Sequence, residues 1–160
     1  MRIIGCGNPD RGDDGAGVLA AERLRALGIP AEIRCGETLD LIEAWRGAED
    51  VIVIDAVVTG APVGTIQVWD GDLPGLSTAS ASTHGFGLAE AVMLARALHC
   101  LPPRMRIYGI EGACFDLGAG PSAEVRQAAE EVALRIAMDH FDNRAGSEMI
   151  EPQMHTDTRR

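Results

Sequence analysis

Residues 1–17 read MRIIGCGNPDRGDDGAG. The apolar run ending in Ile3 and Ile4 predicts a short buried strand. Gly5, Gly7 and Pro9 then break the chain, and Asp13 and Asp14 lie among glycines ahead of Gly17. Val18, Ala21, Leu24 and Leu27 follow at helical spacing. Both aspartates therefore sit where a strand hands over to a helix, at the rim of a sheet. In open α/β sheets that rim is where ligands bind.

Three readings compete for this stretch. Aspartate is a favoured helix N-cap, and acids in a first turn suit the helix dipole. A dinucleotide fingerprint fits poorly, because its third glycine should fall where Asp10 stands, and a carboxylate there would repel pyrophosphate. The third reading is a metal site, which needs ligands from elsewhere in the chain.

Working outward, Gly28 and Pro30 stop the first helix, and residues 31–35 predict a second strand. Thr38 is placed to cap a helix carrying Leu39, Ile42 and Trp45, which Gly47 ends. Val51-Ile52-Val53-Ile54, closed by Asp55, reads as a central strand covered on both faces. After the turn at residues 59–62, residues 64–69 alternate as a fourth strand. Its connection is too short for a parallel crossover, so it is expected to oppose strand three. A loop of small residues leads to His84, then to a helix with Leu88, Ala91, Val92 and Ala95 on one face. A fifth strand spans 105–110, an irregular loop 112–120, and Ser122 is placed to cap a last helix with Val125, Ala128, Val132 and Ile136 inward.

This order predicts a three-layer α/β/α sandwich on a five-stranded, mostly parallel sheet with one antiparallel strand. The chain of 160 residues is read as a single domain over 1–142, followed by a polar, disordered tail over 143–160. Apolar residues make up 46% and aromatics only 4%, so the core is aliphatic. A net charge of −10 argues against nucleic-acid partners and anionic membranes. Cys6, Cys35, Cys100 and Cys114 show no CxxC spacing and read as reduced thiols. With no signal-peptide pattern and no apolar run of membrane-spanning length, the expected location is the cytoplasm.

Asp14 follows strand one, Asp55 closes strand three, and His84 precedes the third helix. Strands one and three are natural neighbours in a doubly wound sheet, which would bring both acids to one edge, within reach of the loop carrying His84. Two carboxylates and an imidazole suit a borderline divalent ion such as nickel or zinc. The other histidines, His99, His140 and His155, lie at helix ends or in the tail.

Gly5-Cys6-Gly7-Asn8-Pro9, Gly12-Asp13-Asp14-Gly15-Ala16-Gly17, Asp55-Ala56 and Ser82-Thr83-His84, in this order, resemble the maturation endopeptidases of [NiFe] hydrogenases. The resemblance runs from Met1 to about Phe141. It implies the same sandwich fold, and it implies Asp14, Asp55 and His84 as metal ligands and catalytic residues. It further implies that the nickel belongs to the immature hydrogenase large subunit, the expected partner, from which a C-terminal peptide is cut. A non-cleaving nickel-binding chaperone or checkpoint module would use the same three ligands, and a self-sufficient zinc peptidase is a third possibility. No nucleophile-elbow motif for a serine triad is present. One departure stands out: Cys35-Gly36-Glu37-Thr38 occupies the place where some relatives carry Asp-Gly-Gly-Thr. It leaves open whether Glu37 substitutes for that acid and whether Cys35 is a soft metal contact.

Overall fold

A computed structural model describes residues 1–71 and 86–148. Strand β1 (Arg2–Cys6) leads through a 3₁₀ turn (Gly12–Gly15) into helix α1 (Ala16–Ala26). Then follow β2 (Glu32–Arg34), α2 (Thr38–Trp45), β3 (Asp50–Val57) and β4 (Ile66–Asp70). Helix α3 (Phe86–Ala97), β5 (Arg104–Glu111) and α4 (Ala123–Glu148) complete the described chain. The sheet order is β2-β1-β3-β5-β4, with β4 alone antiparallel. The α/β class and the single opposing strand are as the sequence predicts.

The β-branched run of β3 explains the layering. Ile52 and Ile54 point to one face, where they pack with Ile3, Tyr108 and Ile110 against α1 and α4. Val51 and Val53 point to the other, where they meet Ile4, Cys6 and Ile107 beneath α2 and α3. With both faces covered, every apolar side chain of the strand contributes, each about 1.5–3 kcal/mol when fully buried. Helix α1 approaches closely because it presents Ala16, Gly17, Ala20 and Ala21 to the sheet, all buried. A β-carbon on Gly17 would overlap the carbonyl oxygens of Ile54 and Cys6, so only hydrogen fits at that crossing.

Four local expectations are corrected. Strand β4 opposes the sheet but pairs with β5, Ile66 opposite Ile110 through Asp70 opposite Arg106, and not with β3. The β3–β4 connection turns back over Glu111, whose carboxylate accepts from the Thr59 and Gly60 amides at 2.8 and 2.9 Å and from the Thr59 hydroxyl at 2.8 Å. Thr38 does not cap α2: Glu37 holds the cap position without a side-chain bond, and the Thr38 hydroxyl instead donates to Glu90 Oε2 at 3.2 Å on α3. Leu39 points outward, 73% exposed, while Leu41, Ile42, Ala44 and Trp45 form the buried face. Finally, α4 runs past Asn143 to Glu148, and the next proline after it is Pro152. Residues 149–160 of the expected tail lie outside the described residues. At the start of α4, the Ser122 hydroxyl accepts from the Val125 amide at 3.4 Å, the expected cap.

Candidate active site

Strands β1 and β3 are parallel neighbours, Gly5 opposite Ile54, so their carboxyl ends share one rim. Asp55 lies inside β3 and not at its end, and its Oδ1 accepts from the next amide, Ala56, at 2.8 Å. By strand alternation it continues the Val51–Val53 side, the α2/α3 face. Asp14 reaches the same rim from the 3₁₀ turn, and its Oδ2 accepts from the Asn8 amide at 3.0 Å. Gly7, with φ +123°, makes that turn possible: a side chain there would overlap the Asp14 carbonyl.

The two acids line one open cleft of about 570 Å³. Its described walls include Asn8, Arg11, Cys35, Glu37 and Thr38, with Gly87 from the first turn of α3. Asp55 is 5% exposed and Asp14 9% exposed. Burial, then the charge of Asp14, push the Asp55 carboxyl up to about 8, against the pull of the Ala56 amide. Both causes favour the protonated form of Asp55. Among the described residues neither acid forms an ion pair. A cavity of similar size at the opposite rim differs in this respect, two of its acids being paired as Arg106–Asp70 at 2.7 Å and Arg104–Asp50 at 3.8 Å.

Asp13 and Asp14 cap neither the 3₁₀ turn nor α1, so the capping reading is set aside. Asp13 turns inward to the β5–α4 link, and Asp14 turns to the cleft. Beneath the cleft, burial and then the nearby Asp55 raise the Cys6 thiol well above its ordinary range, which keeps it a neutral, small apolar filler. Cys35 is exposed on the cleft wall, its Sγ 3.9 Å from Asp40 Oδ2, and Glu37 stands beside it. Among the described residues no group of three His, Cys, Asp or Glu side chains is gathered to hold a metal. His84 and His155 lie outside the described residues. His99 follows α3 with φ 54°, and His140 stacks edge-on against Phe141 on α4, both away from the cleft walls.

Residues 36–139 match the family model of the hydrogenase maturation proteases (HycI). The chain belongs to the hydrogenase maturation protease family. That match includes Asp55 and His84 and begins after Asp14. The hydrogenase expression/formation protein HupD of Thiocapsa roseopersicina is 31% identical over 116 residues, which cover 68% of this chain and 52% of that relative. The chain thus spans about half the length of this relative. The structure is similar to the hydrogenase maturating endopeptidase HybD of E. coli, with a TM-score of 0.68 and 25% identity over 89% of this chain and 93% of that one. The [NiFe] hydrogenase maturation protease HybD of Thermococcus kodakarensis gives a TM-score of 0.63 and 27% identity over 87% and 98%. The sandwich read from the sequence is thus the fold of this protease family.

The structure adds features that the sequence reading misses. Asp13 holds a loop one hundred residues away, and the Asn8 amide fixes one Asp14 oxygen. Arg11 is a cleft wall, as is Gly87, whose α-carbon approaches the Gly36 carbonyl too closely for a side chain. Glu111 carries the same signal that picks out Asp55, an acid at the carboxyl end of an apolar strand. It is 2% exposed and spends its carboxylate on a neighbouring loop.

Proposed function

We propose that this chain is an endopeptidase that removes a C-terminal peptide from the nickel-loaded precursor of a [NiFe] hydrogenase large subunit. Asp14, Asp55 and His84 would complete the coordination of nickel carried in by that substrate. The observation that carries this reading is the acid pair itself. Two buried carboxyls share one open cleft, each with one oxygen engaged by a backbone amide, and burial, then the charge of Asp14, raises Asp55. A divalent cation relieves that repulsion, and on its arrival Asp55 gives up its proton and binds as carboxylate. The remaining oxygens, Oδ1 of Asp14 and Oδ2 of Asp55, suit a hard or borderline ion.

Gly87 supports the part assigned to His84. It lines the cleft three residues after the histidine, a stretch of chain of about 10 Å at most. Two acids and one imidazole leave the ion open to ligands from the precursor, which suits a borrowed metal better than a resident one. Nickel bound there would polarise the scissile carbonyl or supply hydroxide. The protein's own part is to orient the ion against the amide and to release and recapture the Asp55 proton. The four free thiols and the acidic surface fit a reducing cytoplasm, with a protein partner and neither nucleic acid nor membrane. None of the described helices is long and apolar enough to cross a membrane.

The decisive measurement is the mass of a nickel-loaded precursor before and after incubation, beside a nickel-free control. Loss of one C-terminal peptide only with nickel is the expected result. An unchanged mass with a stable complex would favour the checkpoint module, and cutting of unrelated peptides would favour a self-sufficient zinc peptidase. His84→Ala is expected to stop cleavage while the variant keeps a cooperative thermal transition. Normal cleavage by this variant would remove His84 from the ligand set.

A further inference from the structure

Asp13 is fully buried, yet no cation pairs with it among the described residues. Its Oδ2 accepts from the Ala113 and Cys114 amides at 2.9 and 3.0 Å, and its Oδ1 accepts from the Ser122 amide at 2.7 Å. Its own amide donates to the Cys114 carbonyl at 2.7 Å, the Gly12 amide donates to Ala119 at 2.9 Å, and the Gly118 amide donates to Asp10 at 2.7 Å. Burial alone would raise this carboxyl. The amides of Ala113, Ser122 and Cys114, with the Ser122 hydroxyl, outweigh it and hold Asp13 below the ordinary carboxylate value.

The consequence is geometric. Asp14 is the next residue in the same 3₁₀ turn, in which successive side chains point about 120° apart. Fastening Asp13 inward therefore dictates that Asp14 points into the cleft. On the other side the turn runs directly into α1, whose height over β1 and β3 is fixed by the Gly17 crossing. The turn has no freedom at either end. Nothing else among the described contacts of Asp14, beyond the Asn8 amide, fixes its side chain.

We infer that Asp13 is a positioning residue, which sets the reach of Asp14 toward Asp55 and so the grip of the cleft on the metal-bearing substrate. This rests on the function proposed above. Asp13 does not touch substrate; it acts through the turn that carries Asp14.

Asp13→Asn tests this, because an amide in place of the carboxylate turns an NH₂ toward backbone donors. The control is Val132→Ala on α4, a fully buried residue far from the loop that should lower stability without moving the turn. Both are assayed at a temperature where each is folded. An unfolded fraction lowers apparent kcat and leaves KM unchanged, so KM separates positioning from plain instability. Asp13→Asn is expected to raise KM for the nickel-loaded precursor at least fivefold, and Val132→Ala to leave it unchanged. Calorimetric titration of Ni²⁺ into the protein alone provides a readout without cleavage, with at least fivefold weaker binding expected for Asp13→Asn. Should that variant fail to fold, Ser122→Ala keeps the three amides and the carboxylate and removes only the hydroxyl that helps hold Asp13 and caps α4, and it should raise KM at least twofold. A variant that folds with wild-type KM and Ni²⁺ affinity overturns the positioning role alone. A wild-type protein that neither cleaves the precursor nor binds Ni²⁺ defeats the functional reading, and this inference with it.

Discussion

Asp55→Asn is expected to abolish processing and to make the protein more stable. The activity loss follows from the proposed coordination: a neutral amide is a poor ligand for a divalent ion and cannot balance its charge. Losing about 4 kcal/mol of metal-dependent transition-state stabilisation corresponds to about a thousandfold in rate. The gain in stability follows from the site without its substrate. Asp55 titrates at about 8 in the folded chain, raised by burial and by Asp14. Between about pH 4 and that value the folded protein holds one proton more than the unfolded chain at this position, so wild-type stability falls as pH rises through the window. Asparagine carries no such penalty, and its side-chain oxygen can still accept from the Ala56 amide. In urea titrations the two proteins should have similar midpoints near pH 4. By pH 8 the variant should be the more stable by about 2 kcal/mol or more. A variant that is inactive and less stable at both pH values would show that Asp55 is a structural acid.

The second large effect is expected at Gly17→Ala, a change of one methyl group. The added carbon would overlap the Ile54 and Cys6 carbonyl oxygens and lie 2.6 Å from the Cys6 nitrogen. These are backbone atoms of β1 and β3, near the middle of the sheet, where ladder bonds on both sides prevent retreat. Helix α1 would have to lift, taking Ala16, Ala20, Ala21 and Leu24 away from their contacts. Overpacking without room to relax belongs among the substitutions that cost more than about 4 kcal/mol, a large part of a small domain's stability of about 5–15 kcal/mol. The variant should accumulate as insoluble or unfolded chain, seen as loss of the far-ultraviolet helical signal. A cooperative urea transition within about 1 kcal/mol of wild type would mean that α1 sits higher on the sheet than described.

The parts of the site that were legible in the sequence are those whose cause is local. Apolar alternation and helical spacing each depend on a few neighbouring residues, so the order of elements can be read directly. The acid after Val51–Ile54 stands out because carboxylates are costly where such strands end. The pairing of β4 with β5 was not legible, because the turn near Thr59 is held by Glu111, fifty residues on. The capping reading of this stretch fails at Asp13 for the same reason. An aspartate before a helix has a ready local explanation as a cap, while its actual partners belong to residues 113–122. Family likeness pointed to Asp14, Asp55 and His84, and so chose between the two adjacent aspartates, but it gave Asp13 no work of its own. The part played by Asp13 needed the direction of its side chain in the 3₁₀ turn.

The clamp on Asp13 also bears on the life of the chain before it is finished. Asp14 and Asp55 both emerge early in synthesis, but the amides that fix the turn belong to Ala113, Cys114 and Ser122. Strand β5, the central partner of β3, comes equally late. A nascent chain that has reached residue 100 thus owns both acids without the geometry that aligns them. At about 5–20 residues per second, several seconds of translation separate the appearance of the acids from the assembly of the cleft. On the function proposed above, a chain arranged in this way aligns its two acids only when nearly all of the described fold has been made.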